Sequence, residues 1–522
     1  MATSPFDHGA STGHHAIDRH RQTTDKEGAM ARRMKVFAFT VAAAMGTTAL
    51  LTGALAPRAE ALVAQAQSIT ASEKRQGAEV HPKLLEEFGG AYQVAQTSYV
   101  VQVGKGIAVQ SGLGNARDDF IVTLLNSPVN NAFAIPGGYV YVTRQLLALM
   151  NDEAELAGVL GHEVGHVAAR HSEKRQKAAQ RNSIIGLLGQ IGAAVLLGDG
   201  AAGQLGQQVF GTGTQLLTLK YSRKQEEEAD DLGVRYLSSA GYDPRALSSM
   251  LGSLAAQQAI DARAQGGNAR SVPEWASTHP DPARRVTRAA TVASRFGGTQ
   301  RNRDVFLSRL DGLLYGDDPK QGMVQGRQFL HPELGLKFSV PQGYAMQNGT
   351  SAVSISGQSA QAQFTMGQFS GDLTRYVDQA FRAVGGQQQL NYGQIQRTTV
   401  NGLPAAYATA RVAANRQTLD VTVFAYSFGN NRAYHFVAIT PAGQSNLFTP
   451  MYQSVQRLSG AEASAIKPRR LRVVTVQRGD TVQSMAARMA YDDLRAERFI
   501  ALNGLASGAT LTPGQKVKIV SY

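Results

Sequence analysis

The 522-residue chain contains no cysteine. That absence excludes disulfides, thiol catalysis, thiolate metal ligands and a lipid-modified N-terminal cysteine. It also carries no nucleic-acid-binding motif. Its 52 basic residues against 39 acidic ones give a net charge of +13, but they are spread along the chain rather than gathered in one patch. Such a charge favours anionic surfaces in general, lipid headgroups among them, and no nucleic-acid partner is expected. Long apolar runs are few. Residues 36–56 form one. Residues 183–197 form a second, too short for a membrane span. With Gly186, Gly189 and Gly192 three apart, it suits a closely packed buried helix or a lipid-touching flap.

Residues 154–166 carry the strongest signal. Apolar residues at helical spacing lead from Ala154 into His162-Glu163-Val164-Gly165-His166. On a helix, His162 and His166 lie four apart, so their imidazoles leave the same face one turn from each other. That spacing suits two corners of a tetrahedral zinc site, with Glu163 beside the first histidine as a proton acceptor for an attacking water. Such a site needs a third protein ligand and a group to orient the histidines. Residues 221–230 offer both. On a second helix Glu226 and Asp230 share a face, Glu226 as ligand and Asp230 as acceptor of a ligand histidine's free N–H, that of His162.

His162-Glu163-Val164-Gly165-His166, Ser222-Arg223 and the Glu226/Asp230 pair together resemble the HtpX/BepA/CaaX-prenyl-protease-like zinc metallopeptidases. Three further stretches fit the resemblance. Residues 131–140 resemble the strand and turn beside the cleft of those enzymes, His171 matches the end of the metal helix, and Thr278-His279-Pro280 with Arg285 resembles a downstream His-Pro-…-Arg element. The resemblance covers roughly residues 75–325. It implies one Zn2+ per chain held by His162, His166 and Glu226, with Glu163 as general base and then acid. Asn131, Ala132 and Phe133 would hold a substrate backbone by main-chain hydrogen bonds if their strand lies at an edge. His279 would approach the metal, either stabilising the oxyanion or occupying the open fourth position at rest. Arg285 would hold that loop or help polarise the carbonyl.

The two ends bear on location and organisation. Arg32-Arg33-Met34-Lys35, the apolar run and small-residue sites at Ala61 and Ala66 have the order of a secretory signal, with an uncleaved inner-membrane anchor as the alternative. The expectation is a periplasmic or secreted protein. Helices are expected over residues 72–112 and 302–315, and strands over 118–125 and 132–142. After Gly316-Asp317-Asp318-Pro319 the pattern turns to alternation, with helices at 372–384 and 445–458 and a hairpin turn at 429–432. No catalytic constellation stands there, and the isolated His331 and His435 read as structural. Residues 472–522 resemble a LysM module, in Val474 to Val482, Ile500 to Leu505 and Leu511 to Ile519. Asp480 or Thr481 would cap its first helix, although the aromatic residue that often opens such modules is absent. The resemblance implies binding to N-acetylglucosamine-containing glycans such as peptidoglycan.

The expected fold is multi-domain α+β. Residues 1–66 are the leader, 67–325 a mainly helical zincin-type domain, 326–460 an antiparallel α+β domain, 461–471 a linker and 472–522 a βααβ module. The expected partners are unfolded or misassembled envelope proteins, and membrane association is compatible with the N-terminal run. Two rival readings are a chaperone-like binding protein with a mostly closed zinc site and a peptidoglycan-active hydrolase.

Overall fold

The structure, a computed structural model, describes residues 67–175, 221–264, 279 and 281–522, apart from 358, 387–388, 415–416 and 430. The leader with its cleavage sites, the apolar run at 183–197, and Thr278 and Pro280 lie outside the described residues. Among the described residues no helix is long and apolar enough to cross a membrane.

The helix Glu153–Ala168, which carries the HExxH residues, starts where Asp152 accepts the Glu155 N–H and ends before Arg170, at φ 52°. It is buried along nearly its whole length, so every face must find a partner. The helix Arg223–Ser239 begins at a capping box, in which Ser222 Oγ accepts the Gln225 N–H and the Gln225 side chain accepts the Ser222 N–H. The two helices approach through glycine. A Cβ on Gly233 would stand 3.1 Å from the backbone nitrogen of His162, and one on Gly165 would stand 3.2 Å from the Ala229 carbonyl. Only a missing side chain allows backbones this close. The approach sets the histidine face of one helix against the carboxylate face of the other.

A three-stranded sheet supports this pair. Strands β1 (Ile121–Leu125), β2 (Ala132–Ile135) and β3 (Tyr139–Thr143) stand in the order β1-β3-β2, with β1 parallel and β2 antiparallel to β3. Gly137 and Gly138, at φ 91° and 83°, turn the chain between β2 and β3. The strand expected from residue 118 begins at Ile121, because Ala116–Asp119 form a helical turn. The expected helix over 72–112 divides into Ala71–Glu87 and Ala95–Val109 around Gly89 and Gly90, both at positive φ. The expected helix over 302–315 ends at Leu310.

Residues 345–441 form a seven-stranded antiparallel sheet in the order 396–400, 403–414, 417–429, 432–441, 361–366, 352–356, 345–348. Helix Leu373–Gly385 covers one face. The other packs on a four-stranded sheet built from residues 323–339 and 456–457. The helix expected over 445–458 is a 3-10 turn, a short helix Thr449–Ser454 and an edge strand. His435 is buried beside the Tyr376 hydroxyl (2.9 Å), and burial pushes its imidazole down to about 4.

The C-terminal residues pair Arg470–Thr475 with Lys516–Ser521 around helices Val482–Ala487 and Arg495–Leu502, the first capped by Thr481. Residues 461–471, read from the sequence as a linker, comprise most of the helix Gly460–Ala465, residues 466–469 without regular structure, and the start of a strand. The reason lies in what the strand meets. Gly312 and Leu313 exchange backbone hydrogen bonds with Leu471 (2.9 and 2.8 Å), and the apolar residues of the C-terminal module join the core that also holds Leu146, Leu160 and Leu251.

Candidate metal centre

Three elements converge on a buried cluster. His162 and His166 come from the first helix, Glu226 from the second, and His279 from just before the helix Pro282–Ala293. Among the described residues these four form a group that could hold a metal ion. His162 Nε2 lies 3.0 Å from His166 Nε2 and 3.3 Å from His279 Nδ1. The Glu226 carboxylate lies 3.6 Å from His162 Nε2, 3.4 Å from His166 Nε2 and 3.0 Å from His279 Nδ1. A tetrahedral zinc with bonds of about 2.0–2.1 Å has ligand atoms roughly 3.3–3.4 Å apart. The donor set therefore fits zinc in both chemistry and spacing.

The surrounding charges prepare these donors. Burial drives the His166 imidazole well below its usual pKa, keeping it neutral with a lone pair to offer. Burial raises the Glu226 carboxyl, but His279, His166 and Arg285 outweigh it and hold the group well below the usual carboxylate range. Asp230 is likewise raised by burial and lowered further by Arg285 and His162, to about 2. It accepts the His162 Nδ1–H at 3.0 Å, which turns Nε2 toward the cluster. Arg285 donates to Asp230 through Nε and Nη2 (2.8 and 2.6 Å) and reaches Glu226 with Nη1 (2.6 Å). This corrects the expectation for Arg285. Its guanidinium is spread over the two carboxylates of the second helix, so it is a positioning residue that clamps them rather than one aimed at a substrate carbonyl.

Glu163 points into the same space and is fully buried. Neither of its carboxylate oxygens has a hydrogen-bond partner among the described residues, the nearest imidazole atom being His279 Nε2 at 3.5 Å. Burial raises its carboxyl, against the pull of His279 and His162. A buried carboxylate without donors is costly unless a ligand or water completes it.

β2 is an edge strand of its sheet. Asn131, however, exchanges its main-chain groups with Thr143. Its N–H donates to Thr143 Oγ1 (3.1 Å) and its carbonyl accepts the Thr143 N–H (3.0 Å). Alternation along an antiparallel ladder then turns Phe133, opposite Tyr141, inward as well. The main-chain groups facing away from β3 are those of Ala132 and Ala134. Of the three expected residues only Ala132 has main-chain groups facing away from β3, although it is fully buried, because the register with Thr143, invisible in the sequence, sets the phase.

Other contacts escaped the sequence reading. The Tyr221 ring stacks on His166 with centroids 3.7 Å apart, and Arg175 lies over its other side. His171 and Glu228 reach the back of His166. His171 is five residues beyond His166, a spacing that leaves the metal face of a straight helix. Only the break at Arg170 returns it.

Comparison with known proteins agrees with the site. Residues 94–293 match the model of Peptidase family M48, and residues 474–520 match that of the LysM domain. The chain is 29% identical over 231 residues to the Beta-barrel assembly-enhancing protease of Yersinia pestis, covering 44% of this chain and 46% of that protein. It is 33% identical over 217 residues to the Mitochondrial metalloendopeptidase OMA1 of Schizosaccharomyces pombe, covering 41% of this chain and 59% of that one. With OMA1 of Arabidopsis thaliana it shares 34% identity over 167 residues, covering 31% of this chain and 30% of that protein. The chain thus spans about half or less of the length of most of these relatives.

Proposed function

We propose that this chain, with its Peptidase family M48 domain at residues 94–293, is a zinc metalloendopeptidase of the bacterial cell envelope that cleaves extended segments of misfolded or misassembled envelope proteins. One observation carries the reading: two imidazoles and a carboxylate at zinc-ligand spacing, facing a buried glutamate with no hydrogen-bond donor among the described residues. His162, His166 and Glu226 would hold the ion. When bound, zinc supplies the Lewis acidity that activates a water and polarises the scissile carbonyl. Glu163 takes the proton from the attacking water and delivers it to the leaving amine nitrogen, a task that suits a carboxyl raised by burial. Asp230 and Arg285 hold the ligands in place, and the outward main-chain groups of Ala132 and Ala134 pair with the substrate backbone.

His279 Nδ1 stands at ligand distance from the other donors. We therefore assign it to the fourth position in a resting form, which substrate entry must vacate. The names of the relatives and the secretory-type N-terminus support an envelope location, and the LysM domain supports a peptidoglycan partner. The test is Glu163→Gln. Glutamine keeps size but cannot accept the proton, so zinc content should stay at about one per chain while proteolysis of unfolded casein falls at least about a hundredfold. Turnover near that of the unaltered chain would end the proposal.

A further inference from the structure

The two histidine ligands are supported differently. His162 rests on a carboxylate, Asp230. Among the described residues no carboxylate meets the Nδ1 of His166. That atom lies instead 2.8 Å from Nδ1 of His171, whose Nε2 lies 3.1 Å from Glu228 Oε2. His171 is fully buried, while Glu228 is 51% exposed. Two ring nitrogens at 2.8 Å must share one proton, one acting as donor and the other as acceptor. His166 has to present the Nε2 lone pair to the cluster, so its proton sits on Nδ1 and it donates to His171. His171 Nδ1 must then carry a lone pair, which leaves its proton on Nε2, and that N–H donates to Glu228. Once the role of His166 is set, one tautomer assignment satisfies the whole line.

The geometry points to His171 as a positioning residue for the metal centre, which with Glu228 fixes the tautomer and ring orientation of His166. This rests on the metallopeptidase reading and deepens it. Independent contacts hold the arrangement. The Gln225 side chain donates to the His171 carbonyl (3.4 Å), and Tyr221 stacks on the His166 ring. Arg170, in the left-handed region that turns the chain back to bring in His171, pairs with Glu73 (3.0 Å).

Zinc affinity of the full chain, measured by competition with a chromophoric chelator, tests the assignment without reference to activity. His171→Leu leaves the His166 Nδ1–H without an acceptor, and affinity should fall about 10–100-fold, the usual effect of losing such an outer contact. His171→Asn, whose Oδ1 can accept that proton, should recover most of the loss. Glu228→Leu should cost less than His171→Leu, because water can replace an exposed carboxylate. Affinity of folded His171→Leu equal to that of the unaltered chain overturns the assignment. If His171→Leu does not fold, nitrogen-15 spectra of the unaltered zinc-loaded chain decide. A proton on His166 Nδ1 and on His171 Nε2 is expected, and a proton on His171 Nδ1 overturns it. An unaltered chain that binds no zinc would sink the metallopeptidase reading itself, a result distinct from zinc binding that is indifferent to His171.

Discussion

At the scale of single residues, most groups of the centre are oriented by a neighbour. Asp230 fixes His162, and Arg285 fixes Asp230 and Glu226. His279 is the exception, since it occupies ligand space without being needed for a three-ligand site. His279→Ala should therefore retain zinc and raise the initial rate on an unstructured protein, because the fourth position opens. A rate lowered by about 10²–10³-fold with zinc retained would instead give His279 the task of stabilising the oxyanion. An unchanged rate at matched melting temperature would remove it from the chemistry.

At the scale of elements, the site depends on how closely two helices approach. Gly→Ala in an open helix is favourable by roughly 1 kcal/mol. Gly252, with nothing within 4 Å of its absent Cβ, should show that gain. Gly233 should show the opposite. A methyl there would stand 3.1 Å from the His162 nitrogen, and such overpacking costs about 1–3 kcal/mol. Urea denaturation of the two variants should move in opposite directions, and Gly233→Ala should also weaken zinc binding because it separates His162 from Glu226. Equal shifts would mean that the helix contact yields freely. The edge strand makes a second element-scale claim. Ala132→Pro removes an outward N–H, whereas Phe133→Pro removes one bonded within the sheet. The first should mainly raise KM and the second mainly lower stability. An unchanged KM in folded Ala132→Pro would remove β2 from substrate binding.

At the scale of the whole described chain, the C-terminal module shares one apolar core with the HExxH helix rather than standing apart from it. Lys518, fully buried on a strand of that module, donates from Nζ to the carbonyls of Ala148 (2.8 Å), Leu149 (3.0 Å) and Met150. These carbonyls close the helix Arg144–Leu149, just ahead of the HExxH helix. Burial drives the Lys518 amine well below its usual pKa, against the pull of Glu155, and losing a donor to several buried carbonyls costs on the order of 1–3 kcal/mol. Lys518→Met should lower the urea midpoint of the peptidase domain accordingly. Removal of residues 468–522 should expose Leu146, Leu313 and their neighbours and abolish cooperative unfolding. A truncated chain that melts like the full one and keeps its zinc would make the module a mere tether.

The candidate metal-ligand cluster was legible in the sequence because its spacing is local. His162, Glu163 and His166, like Glu226 and Asp230, are related by helical periodicity, and a helix turns 3.6-residue spacing into a shared face without help from the rest of the chain. Strand alternation after residue 335 was legible for the same reason, whereas the strand–helix order after 470 followed from the resemblance to a LysM module. What the tertiary structure decided are relations between segments distant in sequence. The register of β2 on β3 turned the main-chain groups of Ala132, rather than those of Asn131 and Phe133, away from β3. A left-handed residue at Arg170 turned His171 back onto His166. The packing of Pro282–Ala293 gave Arg285 two carboxylates to clamp, and Leu471 found Leu313, making a strand of residues that read as a linker. None of these follows from periodicity, because each depends on which backbone groups lie opposite one another after the core has closed.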